Sequence, residues 1–157
     1  VLMNSKTLSL SDLKQKAEKF CVYQERSHRE VIKKLRDLGA KSTEIDLVLV
    51  HLIEHNFLNE ERFAKSFVRG KHSIKKYGKI RIVRELKLRN ISQYNIEKAL
   101  EEISEHQYKN TFEELCEKTW NSIEEKNIFK KKKKFFESLL YKGYETDLIS
   151  EYLQNIK

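Results

Sequence analysis

The chain predicts an all-α fold: three tandem three-helix repeats forming an elongated, curved molecule. Three observations carry this. The 157 residues contain no proline and only four glycines, whereas strand-rich domains use both at their many tight turns. Apolar residues recur at helical spacing rather than in alternation. The same pattern then returns twice, at offsets of 51 and 53 residues. A period near 50 residues is the mark of a repeat architecture, in which units bury their apolar faces against one another.

The boundaries follow from this register: an N-terminal extension over 1–11, then repeats over 12–58, 59–108 and 109–157. Each repeat opens on one helical pattern. In the first it is carried by Ala17, Phe20, Cys21 and Gln24. In the second it is Phe63, Ala64, Phe67 and Val68. In the third it is Phe112, Leu115, Cys116, Thr119, Trp120 and Ile123. The middle helix follows, with columns Val31, Ile82 and Phe135; Ile32, Val83 and Phe136; Leu35, Leu86 and Leu139. That spacing places one apolar face on one helix. Gly39, Asn90 and Gly143 come next, residues that accept the left-handed backbone ending a helix. Ser42 or Thr43, Ser92 and Thr146 are the expected caps of the last helix. Its columns are Ile45, Ile96 and Ile149; Val48, Ala99 and Tyr152; Leu49, Leu100 and Leu153; Leu52, Ile103 and Ile156.

The formal net charge of +8 is concentrated in the middle of the chain. Residues 59–103 carry twelve basic and six acidic groups, against ten and eight before them and ten and ten after. Such segregation points to a polyanion or an acidic protein surface as partner. The stretch SIKKYGKIRIVRELKLRNI (73–91) concentrates it. Ile82, Val83 and Leu86 belong to the core of repeat two, while Arg81, Arg84 and Lys87 run along a neighbouring face. The matching positions in repeats one and three are Glu30, Lys33 and Arg36, and Lys134, Glu137 and Leu140. Repeat packing therefore does not require the basic row. The candidate binding residues are Arg69, Lys71, Lys75, Lys76, Lys79, Arg81, Arg84, Lys87 and Arg89, with Arg62 and Lys65 as an extension on the preceding helix. Cations of this kind grip phosphates with release of counterions, or pair with acidic side chains. A second candidate contact is the tract Lys130, Lys131, Lys132, Lys133 and Lys134. The competing reading makes these lysines a helix start that shields the acidic helix before it.

Other chemistry is thinly represented. Phe63, Phe67, Phe135 and Phe136 fall on packing faces, whereas Tyr77 and Tyr141 lie outside the core columns and are free to stack. HLIEH (51–55) matches one zinc-protease pattern. His51, however, aligns with Glu102 and Asn155, ordinary surface positions, and no third ligand is evident. There is no glycine-rich phosphate loop and no nucleophile elbow. Cys21 and Cys116 read as small buried hydrophobes. No apolar run approaches a membrane span, and no signal-peptide pattern opens the chain. The expectation is a cytoplasmic monomer, not an enzyme, with no metal and no cofactor.

Three stretches resemble the RecX family of bacterial regulatory proteins: RSHREVIKKLRDLG (26–39), FLNEERFAKSFVRGKHSIKKYGKIRIVRELKLRNIS (57–92) and FFESLLYKGYETDLI (135–149). The resemblance covers roughly residues 12–157. Asn90 stands where the family commonly has glycine, and the tract 129–134 is richer in lysine than usual. The resemblance implies a non-enzymatic protein that binds the RecA recombinase and lies along the groove of the RecA–DNA filament. There it would restrain recombination, ATP hydrolysis and the SOS coprotease function. The rival reading is a stand-alone helical DNA-binding module, and a third is a passive helical scaffold.

Overall fold

A computed structural model describes residues 7–156. Nine helices and no strands occur among the described residues, in the expected triplets. Repeat one contains α1 (Leu10–Tyr23), α2 (His28–Asp37) and α3 (Ser42–Glu54). Repeat two contains α4 (Glu60–Ser73), α5 (Lys79–Leu88) and α6 (Gln93–Leu100). Repeat three contains α7 (Glu105–Ser122), α8 (Ile128–Lys142) and α9 (Thr146–Gln154). Helix α7 starts at Glu105, ahead of the boundary drawn at 109, because Ser104 accepts a hydrogen bond from the Gln107 N–H and caps it there.

The repeat columns are the core. Val31, Ile82 and Phe135 are fully buried, as are Leu35, Leu86 and Leu139. Gly39, Asn90 and Gly143 all take positive φ, at 85°, 59° and 100°. Gln24 departs from its column: it is exposed, as the residue ending α1. Of the expected caps, Ser92 holds its place, accepting from the Asn95 N–H. At the other two, the helix starts one residue earlier. The α3 cap is Lys41, whose N–H donates to the Glu44 carboxylate. The α9 cap is Glu145, whose carboxylate instead accepts from the Tyr108 hydroxyl at 2.8 Å.

Two cores form. One lies within repeat one, around Leu13, Ala17, Val31, Leu35, Val48 and Leu52. The other is continuous through repeats two and three, from Phe63 and Val68 to Phe135 and Ile149. The seam between repeats two and three is closed by backbone. The Gly78 N–H donates to the Lys142 carbonyl at 2.9 Å, and the Ile80 N–H to the Gly143 carbonyl at 3.0 Å. A Cβ on Gly78 would strike the Gly143 carbonyl, and one on Gly143 would strike the backbone of Arg81. These two glycines let the α4–α5 loop lie directly on the α8–α9 turn. The Tyr144 hydroxyl donates to the Lys76 carbonyl at 2.8 Å, and the Tyr108 hydroxyl accepts from the Lys79 N–H at 3.0 Å.

Repeats one and two meet differently, through charged side chains. Arg62 on α4 reaches Glu25 at 2.6 Å and donates to the Asn56 side chain and carbonyl at 3.0 Å each. Arg89 lies 3.7 Å from Glu30, and Arg29 donates to the Leu88 carbonyl.

Candidate nucleic-acid interface

Helix α5 is placed by the burial of Ile82 and Leu86, which turns Ile80, Arg84, Lys87 and Leu88 outward. Arg84 and Lys87 are exposed and face no carboxylate among the described residues. Lys75, in the loop before the helix, is exposed as well, and Lys76 beside it takes a left-handed backbone at φ 60°. Lys75, Arg84 and Lys87 thus leave uncompensated positive charge on the outside of repeat two.

The basic row is not uniform. The Arg81 side chain is only 15% exposed. Its guanidinium lies 3.8 Å from the Tyr77 ring and 4.7 Å from the Tyr141 ring. It donates to the Tyr141 carbonyl at 3.2 Å and approaches Glu85 at 3.5 Å. Arg81 thus rivets repeat two to repeat three. Tyr77 and Tyr141, unassigned to packing by the sequence, turn their faces to this cation. Lys79 sits with its ammonium 4.6 Å from the Tyr108 ring. Arg62 is bound into the joint with repeat one, and Lys65 pairs with Glu61 at 2.9 Å. Arg69 pairs with Glu102 at 3.3 Å.

The remaining cations gather at a cleft of about 370 Å³ between repeats one and two. Phe67 lines it, with the Lys71 ammonium 5.3 Å and the Arg89 guanidinium 4.7 Å from its ring. Lys75 stands at its rim, and Glu30 faces Arg89 across it. Phe67 packs as the sequence predicts, against the core and beside Phe63 at 5.7 Å between rings. That its partly buried ring also lines a basic cleft is visible only once α4 is set against repeat one. Lys142 was missed altogether. Its ammonium donates to the Lys75 carbonyl at 3.4 Å, having come from the end of α8.

Lys130–Lys134 occupy the first turns of α8, which Asn127 caps through the Lys130 N–H. Cations at a helix N-terminus oppose the macrodipole, and this first turn has no acidic residue. Helix stability therefore does not account for the tract. Lys134 pairs with Glu125 at 3.1 Å and Lys131 lies 4.4 Å from the Trp120 ring. Lys133 comes within 4.0 Å of Glu137. Lys130 and Lys132 have no such partner among the described residues. No hydrogen bond or ion pair joins this tract to the exposed cations of α5 among the described residues.

His51 is engaged by Glu18 at 2.7 Å, and His55 Nδ1 bonds the His51 carbonyl at 2.9 Å. No group of three or more His, Cys, Asp or Glu among the described residues could hold a metal ion. Cys21 and Cys116 are buried in different cores. Burial pushes their thiols up to about 11 and about 12, away from nucleophilic reactivity. No described helix is long and apolar enough to cross a membrane.

Family models of the second and third three-helix domains of RecX match residues 59–100 and 107–153, more than half of the chain. The chain belongs to the RecX family. A regulatory protein RecX of Vibrio parahaemolyticus is 32% identical over 121 residues, covering 77% of this chain and 76% of that one. One from Finegoldia magna is 28% identical over 84% of this chain, and the match spans 65% of that relative's length, just under two thirds. The crystal structure of RecX from Lactobacillus salivarius superposes with a TM-score of 0.77 at 27% identity, covering 94% of this chain and 97% of that one. A second RecX crystal structure, 19% identical, gives 0.80 and bears on the fold alone. The matched domains contain α5 and its cations, so the basic surface stands on the part of the chain that identifies the family.

Proposed function

We propose that this RecX-family chain is a non-enzymatic modulator of RecA filaments. It binds in the groove of the RecA–DNA filament in the cytoplasm and restrains recombination, ATP hydrolysis and SOS coprotease function. The observation that carries the reading is the exposed, uncompensated charge of Lys75, Arg84 and Lys87 on a repeat that the family model matches, with Lys75 also at the rim of the Phe67 cleft. Repeat packing leaves that charge unexplained, because the positions matching Arg84 and Lys87 are Glu137 and Leu140 in repeat three, while in repeat one the match to Arg84 is Lys33, which pairs with Asp37 at 2.9 Å. Phosphate backbone or acidic patches on the filament supply what it lacks. Lys130–Lys134 offer a second grip, and two modest contacts on one rigid body reinforce each other through effective concentration.

The test is ATP hydrolysis by RecA on single-stranded DNA while this protein is titrated in, with its affinity for bare DNA measured alongside. Inhibition well below the concentration that saturates bare DNA is the expected result. Inhibition that merely tracks bare-DNA binding assigns the chain instead to the stand-alone DNA-binding class.

A further inference from the structure

Helix α3 departs from its two counterparts on the face that packing leaves free. Val48 and Leu52 are fully buried and Ile45 nearly so, as the repeat requires. On the opposite side Leu47, Val50 and Ile53 remain 55%, 52% and 50% exposed. Single exposed apolar residues are ordinary. Three along one helical stripe form a patch. The repeats supply an internal control. Leu47 aligns with Lys98 and Glu151, Val50 with Glu101 and Gln154, and Ile53 with Ser104. Helix α6 ends at Leu100, so Glu101 and Ser104 lie beyond it, but Lys98 within α6 and Glu151 and Gln154 within α9 are polar where α3 is apolar, and the apolar stripe of repeat one is not a packing requirement of the unit.

The charge on this face has the opposite sign to the rest of the molecule. In a chain of net charge +8, α3 has no Lys or Arg, and Asp46 and Glu54 are interleaved with the stripe. Both are exposed, with no cation paired to them among the described residues. Carboxylates here repel phosphate, whether of nucleic acid or of anionic lipid. An apolar stripe with an acidic border instead complements a polypeptide surface with apolar side chains and a basic border.

We propose that the outer face of α3 docks the protein component of the filament through a surface of that kind, while α5 of repeat two meets phosphate. This rests on the functional reading above and divides the work between repeats. Repeat one makes an apolar contact that salt affects little, and repeat two a salt-sensitive one.

The experiment swaps the stripe for the residues that repeat two carries: Leu47→Lys, Val50→Glu and Ile53→Ser together. A second variant reverses the border, Asp46→Lys with Glu54→Lys, and leaves the apolar residues in place. Cosedimentation with RecA filaments formed on single-stranded DNA is compared with anisotropy on the same DNA alone. Circular dichroism melting of each variant verifies folding. Filament affinity is expected to fall by about tenfold or more in the stripe variant, as for loss of central apolar anchors. It falls by a smaller factor in the border variant. Bare-DNA affinity holds within about twofold in the stripe variant and does not fall in the border variant, since neither touches the phosphate-binding cations. Wild-type protein that binds filaments while both variants bind them equally well overturns the docking alone. Wild-type protein that ignores filaments defeats the functional reading and the docking with it. Dimers in sedimentation velocity that the stripe variant dissociates assign the face to a second copy of the chain and also overturn the proposal.

Discussion

Gly143 illustrates how one residue can satisfy two demands. It ends α8 with a left-handed backbone, as Gly39 ends α2, but only Gly143 is pressed against another chain segment. Gly39→Ala is expected to cost about 1–2 kcal/mol, the conformational penalty alone. Gly143→Ala costs more, because the added Cβ also displaces the Arg81 backbone; urea unfolding of the two variants measures the difference. His72 is a second case. Its Nδ1–H donates to the Tyr77 carbonyl at 2.9 Å, which leaves Nε2 buried without a partner. Burial holds its pKa below the ordinary 6.5, aided by Lys76 and Lys79 and opposed by the Tyr77 hydrogen bond. The unfolded chain then binds a proton that the folded one refuses, so stability falls as pH drops below about 6.5 towards the depressed folded value. Unfolding titrations across that range should show the loss, and His72→Gln should flatten it. None of this was legible at residue scale in the sequence. The Gly143–Arg81 and Tyr144–Lys76 contacts join positions more than sixty apart along the chain, and no local pattern announces them.

At the scale of elements, helix α5 was readable as amphipathic and basic from Ile82, Leu86 and the cations around them. Which cations remain free was not. Arg81, Arg84 and Lys87 recur every three residues and drift around the helix. Their separation into one riveting arginine and two exposed cations depends on Tyr77 and Tyr141. Replacing Arg84 and Lys87 with Glu is therefore expected to weaken binding to single-stranded DNA with the melting temperature nearly unchanged. If both cations meet phosphate, the slope of log affinity against log salt should shrink by about 0.7 per lost contact. Arg81→Glu should instead lower the melting temperature, since it places a carboxylate beside Glu85 and abandons two aromatic faces. Thermal melts and salt-titrated anisotropy of the two variants separate the roles. The helix starts show the same division. Ser92 was identifiable because its own hydroxyl caps α6. Glu145 was not, because the carboxylate that marks the start of α9 is held by a tyrosine from α7.

For the whole molecule, the three repeats are alike in sequence but unequal in attachment. Repeats two and three share one apolar core and a backbone seam, whereas repeat one has its own core and joins through Arg62, Arg89 and Arg29. The Arg62–Glu25 and Arg89–Glu30 pairs are partly buried but still open to water, at 28–36% side-chain exposure, and solvent-accessible pairs contribute little, about 0–1 kcal/mol each. Repeat one is therefore expected to open separately from the rest. In native-state hydrogen exchange, amides of α1–α3 should exchange as one group ahead of the buried amides of α4–α9, and Arg62→Ala should widen the gap. The sequence by itself determined the nine helices, their grouping in threes, the left-handed stops and the apolar columns. These depend on periodicity and on the backbone freedom of single residues, both local properties written along the chain. The tertiary structure alone decided which repeats fuse, which cations are spent inside the seams, and where a free basic surface and a free apolar face are left. Those outcomes depend on contacts between segments distant in sequence, and electrostatic neutralisation and burial act through distance in space.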